Sequence, residues 1–291
     1  MKIGLQLPFF NFSGVTTEIG PTLKRIAKAA DEGGFYSLWV MDHFFQMERL
    51  GSAELNMLES YSTLSYLAAV TENVKLGTMV TGVIYRHPGV LIKTVSTLDV
   101  LSGGRAYLGI GAAWYEREAL GLGVPYPETK ERFERLEETL QIAHQMWSEK
   151  IAPFDGKHYH LKETLNHPQP ISQPHPPILI GGMGEKKTLR FVAQYADACN
   201  LFAQMGIDVM REKLTVLKQH CDEIGRPFDQ IEKTSLGTIN LAQTSPSEVI
   251  AQLRQLADIG IQHAIFNMPN AEAITPLETF AREIIPAVKD F

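Results

Sequence analysis

What most limits the fold of this chain is the way short apolar runs alternate with helix-patterned stretches from one end to the other. The runs Ile3–Leu7, Ser37–Met41, 74–80, 105–111, 177–182, 197–202, 231–242 and 263–268 read as strands, mostly apolar enough to be covered on both faces. Between them, 18–32, 58–72, 88–101, 129–148, 185–196, 207–224, 246–259 and 275–289 read as helices. In the first of these, Ile19, Leu23, Ile26, Ala27 and Ala30 share one face, and Gly33-Gly34 ends it. In the seventh, Ser245 is placed as N-cap, Pro246 at the first helical position and Gly260 at the stop. The connections are too long for hairpins, so the strands should be parallel with right-handed crossovers. An α/β chain of this order is best satisfied by a (β/α)₈ TIM barrel. The rhythm breaks after the fourth strand, roughly over 115–176, where a polar helix (129–148) leads into a loop rich in proline and histidine. That stretch is too short for a core of its own, so we expect an insertion on the rim of a single domain spanning 1–291.

Charge and composition narrow the partners. A net charge of −6 and a pI near 5.9 argue against nucleic acid or an anionic membrane as the main partner. No run approaches the roughly 20 apolar residues that span a bilayer. The N-terminal MKIGLQLPFF is too short for a signal peptide and lacks a small-residue cleavage site. Cys199 and Cys221 have no metal-like spacing, which leads us to expect a reduced, cytoplasmic protein.

A barrel of this kind keeps its chemistry at the carboxyl ends of the strands. Those ends supply Gln6, the pair Asp42-His43, Thr81, Gly111, Gly181-Gly182, Asn200, Asn240 and Asn267, with Trp39, Phe44, Tyr85 and Trp114 nearby. Convergent amides, one imidazole and one carboxylate among aromatics suit a planar heteroaromatic ligand with hydrogen-bonding edges. His43 is the candidate for proton exchange, the alternative being a histidine that only holds a loop. Asp42 could meet a ligand N–H, orient His43 or cap the following loop. IGGMGEKK (180–187) runs from a strand through glycines into a helix start, an arrangement that can bind phosphate. The alternative is a plain turn. GIGAAW (109–114) lacks the third glycine and the later acid of a dinucleotide fingerprint. His158 and His160 have no third metal ligand in sequence and read as structural, and ERFERLEE (131–138) reads as a solvated helix face.

Several segments then point the same way. WVMDHF (39–44), TGVIYRHPGVL (81–91), TLDVLSGGRAYLGIGAAWYERE (97–118), ERFERLEETLQI (131–142) and PPILIGGMGEKKTLRFVAQYAD (176–197) together resemble the bacterial-luciferase-like superfamily. Within it they are most similar to the class of coenzyme F420 (deazaflavin) oxidoreductases. The resemblance implies a flavin or deazaflavin at the strand carboxyl ends, with its phosphate tail toward the fifth-strand loop. It places Asp42 and His43 beside the ring and a non-prolyl cis peptide near Met79-Val80 behind it. Thr81 and Gly82 would make the third-strand contacts, Ala112 and Ala113 the fourth-strand contacts, and Gly181, Gly182 and Gly184 the phosphate loop. Glucose-6-phosphate dehydrogenases of this superfamily carry a catalytic Glu on the fourth-strand loop. This chain has Trp114 there, which with Phe44 suggests a bulkier or more apolar substrate. The leading expectation is hydride transfer between F420 and a small organic substrate, with His43 supplying a proton or hydrogen bond. The alternatives are a two-component monooxygenase using FMNH₂ and a flavin-binding protein without turnover. A flavin or F420 reductase and a second copy of the chain are conceivable partners.

Overall fold

The apolar runs become one ring of parallel strands in the computed structural model, which describes residues 1–12 and 14–291. These strands are β1 (Lys2–Leu7), β2 (Ser37–Val40), β3 (Lys75–Thr78), β4 (Ala106–Gly111), β5 (Ile178–Gly181), β6 (Ala198–Phe202), β7 (Glu232–Thr238) and β8 (His263–Asn267). Each pairs with the next, and β8 returns to β1 with Ile3 opposite Ala264 and Leu5 opposite Phe266, which closes the barrel. A closed barrel leaves no open sheet edge, so the backbone groups of all eight strands are paired around the ring.

The third strand is interrupted. After Thr78 the Met79–Val80 peptide is cis, and the strand resumes for Thr81–Gly82, now paired with Ile110 and Gly111 of β4. Glycines on the neighbouring strands accommodate this. A Cβ on Gly109 would fall 1.8 Å from the Thr78 carbonyl oxygen, and one on Gly181 would fall 3.0 Å from both Val80 methyls.

The helices are α1 (Ile19–Glu32), α2 (Ser60–Val70), α3 (Pro88–Ser102), α4 (Glu116–Gly121), α5 (Thr129–Trp147), α6 (Thr188–Tyr195), α7 (Ile207–Ile224), α8 (Pro246–Asp258), α9 (Thr275–Thr279) and α10 (Ile285–Val288). The apolar stripe of α1 is buried as its spacing implied. At α8, Ser245 and Glu248 form a reciprocal capping box with Pro246 in the first turn. The expected final helix 275–289 is instead two short helices joined by a π turn over Phe280–Ile284. Pro286, which has no N–H to give, sits in the first turn of α10. Strand β7 stops at Thr238 rather than 242. Asn240 closes a turn there, its Oδ1 accepting the Ala242 N–H at 3.0 Å and its carbonyl accepting the N–H groups of Gln243 and Thr244. Helix α6 begins at Thr188 rather than 185, because the chain first turns through Gly182 at φ +112°.

Within the stretch after β4, α5 packs between α3 and α6. Trp147 Nε1 donates to Ser96 Oγ at 2.9 Å, and His144 Nε2 lies 3.0 Å from the Tyr195 carbonyl. It is therefore a member of the helix ring, and the added material is 112–128 and 148–177. The latter carries a small hairpin, Phe154–Asp155 with His160–Leu161. Nor is 131–138 simply a solvated face. Glu131 and Arg135 do pair at 2.6 Å, but Arg132 and Glu138 are buried. Glu138 accepts the N–H groups of Lys157, His158 and Tyr159, which ties the hairpin to α5.

Inside the barrel, Trp39, Met79, Tyr107, Leu179, Ala198 and Ile265 form the apolar floor beneath the strand carboxyl ends. Below it lies a buried polar layer: Ser37 Oγ accepts from Trp39 Nε1 at 2.6 Å and lies 2.8 Å from His263 Nε2. Among the described residues no helix is long and apolar enough to cross a membrane.

Candidate active site

Above that floor the strand carboxyl ends open into a cavity of about 910 Å³, a volume ordinary for a cofactor or drug-sized ligand. Of the residues singled out from sequence, Asp42, His43, Met79, Val80, Thr81, Gly82, Ala112, Ala113, Trp114, Gly181 and Gly182 line it. Two do not. Phe44 packs its ring edge-on to Tyr85 at 5.2 Å, outside the cavity lining, and Gly184 is exposed on the turn leading to α6. Asn240, spent on its own turn, is likewise replaced on the wall by Thr238 and Ile239.

Asp42 is buried and fully engaged. Arg86 grips it with both arms, Nη1 to Oδ2 at 2.7 Å and Nη2 to Oδ1 at 3.0 Å. Ser60 Oγ donates to Oδ1 at 2.7 Å and the Gly82 N–H to Oδ2 at 3.2 Å. The pair ties the end of β2 to the segment that follows β3, and Arg86 reaches on to Glu59. Desolvation works against the Arg86 cation, but the charge and hydrogen bonds of Asp42 hold its pKa above the usual guanidinium value. Asp42 thus does not orient His43, one of the roles open to it from sequence. Its four contacts fix the wall instead.

The partner of His43 is Glu118, from α4. His43 Nδ1 lies 2.7 Å from Glu118 Oε1, while Nε2 has no partner among the described residues. Glu118 is wholly buried. Its Oε2 accepts the N–H groups of Phe44 at 2.8 Å and Phe45 at 3.1 Å, and its Oε1 also accepts the Tyr85 hydroxyl. Burial alone would raise the Glu118 carboxyl, but the hydrogen bond and charge of His43, then Tyr85 and the Phe45 N–H, outweigh it and hold it below the usual range. Tyr85 is pushed up by burial and by that carboxylate. His43 is therefore not the only proton-active group at this mouth. Sequence reasoning passed over Glu118 and counted Tyr85 only among the nearby aromatics, although both lie in segments that carried the resemblance. Trp114, 54% exposed, stacks on Tyr115 at 5.1 Å and meets the His43 ring edge at 5.4 Å, with the Arg49 guanidinium above it.

The remaining polar groups divide into spent and free. The Thr81 hydroxyl joins Tyr61 and Thr78 at 2.8 and 2.7 Å, and Gln6 donates to the Met79 carbonyl at 3.2 Å. Asn200 Oδ1 accepts from Thr234 at 3.0 Å. Asn267 Oδ1, on the cavity wall, is buried without a partner, so a ligand N–H there would satisfy it. At the glycine loop, Lys186 is exposed beside Glu185, whose carboxyl its charge helps to lower, and Lys187 Nζ lies 5.7 Å over the Phe133 ring. His158 and His160 face separate carboxylates, Glu134 at 2.8 Å and Asp155 at 2.6 Å. Among the described residues no three metal-ligating side chains converge.

Comparisons with known proteins bear on the family and the fold. The family model described as luciferase-like monooxygenase matches residues 1–282. An F420-dependent glucose-6-phosphate dehydrogenase from Kineococcus radiotolerans is 28% identical over 320 aligned positions, covering 92% of this chain and 93% of that one. Among solved structures, the monooxygenase RslO1 from Streptomyces bottropensis superposes with a TM-score of 0.80 at 19% identity, covering 98% and 99% of the two chains. The coenzyme F420-dependent tetrahydromethanopterin reductase from Methanopyrus kandleri does so with a TM-score of 0.78 at 16% identity, covering 98% of each. At such identities the two structures speak for a shared fold.

Proposed function

The chain belongs to the luciferase-like monooxygenase family, and within it we propose an oxidoreductase that passes a hydride between coenzyme F420 and a small organic substrate. The observation that carries this reading is His43, an imidazole with one nitrogen anchored on a buried carboxylate and the other free at the wall of a largely apolar cavity. The relative named as an F420-dependent dehydrogenase, matched along nearly its whole length, supports the choice of cofactor.

The residues fit a flat ring with a charged tail. Met79 and Val80 give one wall an apolar lining, and Asn267 Oδ1 offers an unsatisfied acceptor to a ring N–H. Ala112 and Ala113 leave room for the ring beside β4. Gly181 and Gly182 open toward the start of α6, where the helix N-terminus with Lys186 and Lys187 would meet phosphate. When bound, the deazaflavin supplies the carbon that carries the hydride. His43 then holds or releases the substrate proton at Nε2, and Trp114, Met47 and Leu50 shield the substrate from water. The absence of an acid at Ala112, Ala113 and Trp114 favours a substrate less polar than a sugar phosphate.

Titrating the purified protein with F420 and, separately, with FMN tests the reading. Saturable absorbance changes with F420 on the order of tens of micromolar or below are expected, and no binding in that range overturns it. The family's description favours one second reading, a monooxygenase fed with FMNH₂. That reading predicts tight FMN binding and substrate-dependent O₂ uptake when a flavin reductase is supplied.

A further inference from the structure

Glu118 decides which nitrogen of His43 meets the cavity. Its two oxygens collect four neighbours. The amide N–H groups of Phe44 and Phe45 meet Oε2, and the Tyr85 hydroxyl and His43 Nδ1 meet Oε1. Amide N–H groups can only donate. The phenol, its proton held by burial and by the neighbouring carboxylate, donates as well. A carboxylate whose oxygens already take three donors, and which His43 first and then Tyr85 and the Phe45 N–H hold below the usual range despite burial, has no proton to offer an imidazole.

We propose that Glu118 is a positioning residue that locks neutral His43 as the Nδ1–H tautomer, leaving Nε2 as a bare acceptor on the cavity wall. The site then selects a ligand that brings an O–H or N–H to Nε2 over one that presents only a carbonyl or ether oxygen. An acceptor facing a lone pair would be repelled and left unsatisfied. This rests on the reading of His43 as the group that meets substrate, but its test uses the protein alone.

The geometry makes Glu118→Gln diagnostic. The Phe44 and Phe45 N–H groups require an oxygen at the Oε2 position, so the amide nitrogen must take the Oε1 position and donate to His43 Nδ1. That forces the Nε2–H tautomer with almost no change in volume. The measurement is long-range proton–nitrogen correlation on nitrogen-15-histidine-labelled protein in alkaline buffer. Of the nine histidines, His43 is identified by the signal lost in His43→Asn. An Nδ1-protonated ring is expected in the wild type and in Tyr85→Phe, and an Nε2-protonated ring in Glu118→Gln. An Nε2-protonated ring in the wild type overturns the proposal, as does an Nδ1-protonated ring that persists in Glu118→Gln. If Glu118→Gln does not fold, the wild-type and Tyr85→Phe spectra decide. Failure of F420 to bind would remove the proposed cofactor and leave these spectra unchanged.

Discussion

At the level of single residues, the adjacent Asp42 and His43 do different work. Asp42 is a buried anion matched by Arg86, and removing the cation strands it. Arg86→Ala is expected to destabilise the protein by about 3–5 kcal/mol, because the remaining carboxylate is buried and uncompensated. A denaturant midpoint close to that of the wild type would contradict this. His43 carries no such burden, since its ring is partly open and only Nδ1 is bonded. His43→Ala should leave cofactor affinity within a few-fold and cut turnover by roughly 10²–10⁴, the range for a lost general acid or base. Equal losses in binding and turnover would instead mark it as a cofactor anchor. The sequence makes the pair visible because two polar residues ending a buried strand are conspicuous. It hides the division of labour, because Arg86 and Glu118 reach them from 44 and 75 positions away in the chain.

At the level of elements, starts and stops set by local chemistry are readable, and those set by tertiary packing are not. Ser245-Pro246 announces α8 and the Gly103-Gly104 pair ends α3, with Gly103 in the left-handed region at φ +71°. The break in β3 leaves no such mark. Its local sequence, LGTMV, reads as one continuous strand, and the room for Val80 is provided by glycines on β4 and β5. That dependence is testable. Gly181→Ala places a methyl 3.0 Å from both Val80 methyls, so Val80 must shift toward the cavity. Weaker cofactor binding with the fold retained is expected, read by titration beside circular dichroism, and unchanged affinity would show that Val80 does not back the ring. The polar run 131–138 misleads for a related reason. Buried Arg132 and Glu138 look like surface residues until the segments they tie down are known. Glu138→Ala leaves three backbone N–H groups of the 157–159 turn without their acceptor, at a cost of about 1–3 kcal/mol. Faster amide exchange at those three positions than in the barrel strands is the expected sign.

At the level of the whole molecule, the barrel is polar at both ends of an apolar floor, and its two ends respond differently to pH. The layer beneath Trp39 holds His263, which is fully buried, with Nδ1 unpartnered and 3.8 Å from Glu232. Burial pushes the His263 pKa below its ordinary 6.5, and burial does the same for His144 between α5 and α6. For a base lowered on folding, the unfolded chain takes up the proton first. This contribution is therefore complete above about pH 6.5 and is lost as pH falls below it. Glu232 adds a second stage. Burial alone would raise its carboxyl, but His263 and the Lys2 ammonium hold it down to about 2, with Lys2 Nζ donating to Oε1 at 2.7 Å and the Tyr107 hydroxyl to Oε2 at 3.3 Å. Its contribution is present above its ordinary 4.5 and is lost as pH falls from there toward 2. Asp31 and Glu59, also lowered, fade over the same acid side of the carboxylate range. Thermal midpoints should thus be level on the alkaline side, decline gently below about 6.5 and fall steeply below about 4.5. His263→Gln, which can keep a hydrogen bond to Ser37, should flatten the gentle stage and leave the steep one. A wild-type midpoint that stays level down to 4.5 would mean that the buried imidazoles do not govern acid stability. A gentle stage unchanged in His263→Gln would move its origin from the barrel floor to His144 in the helix ring.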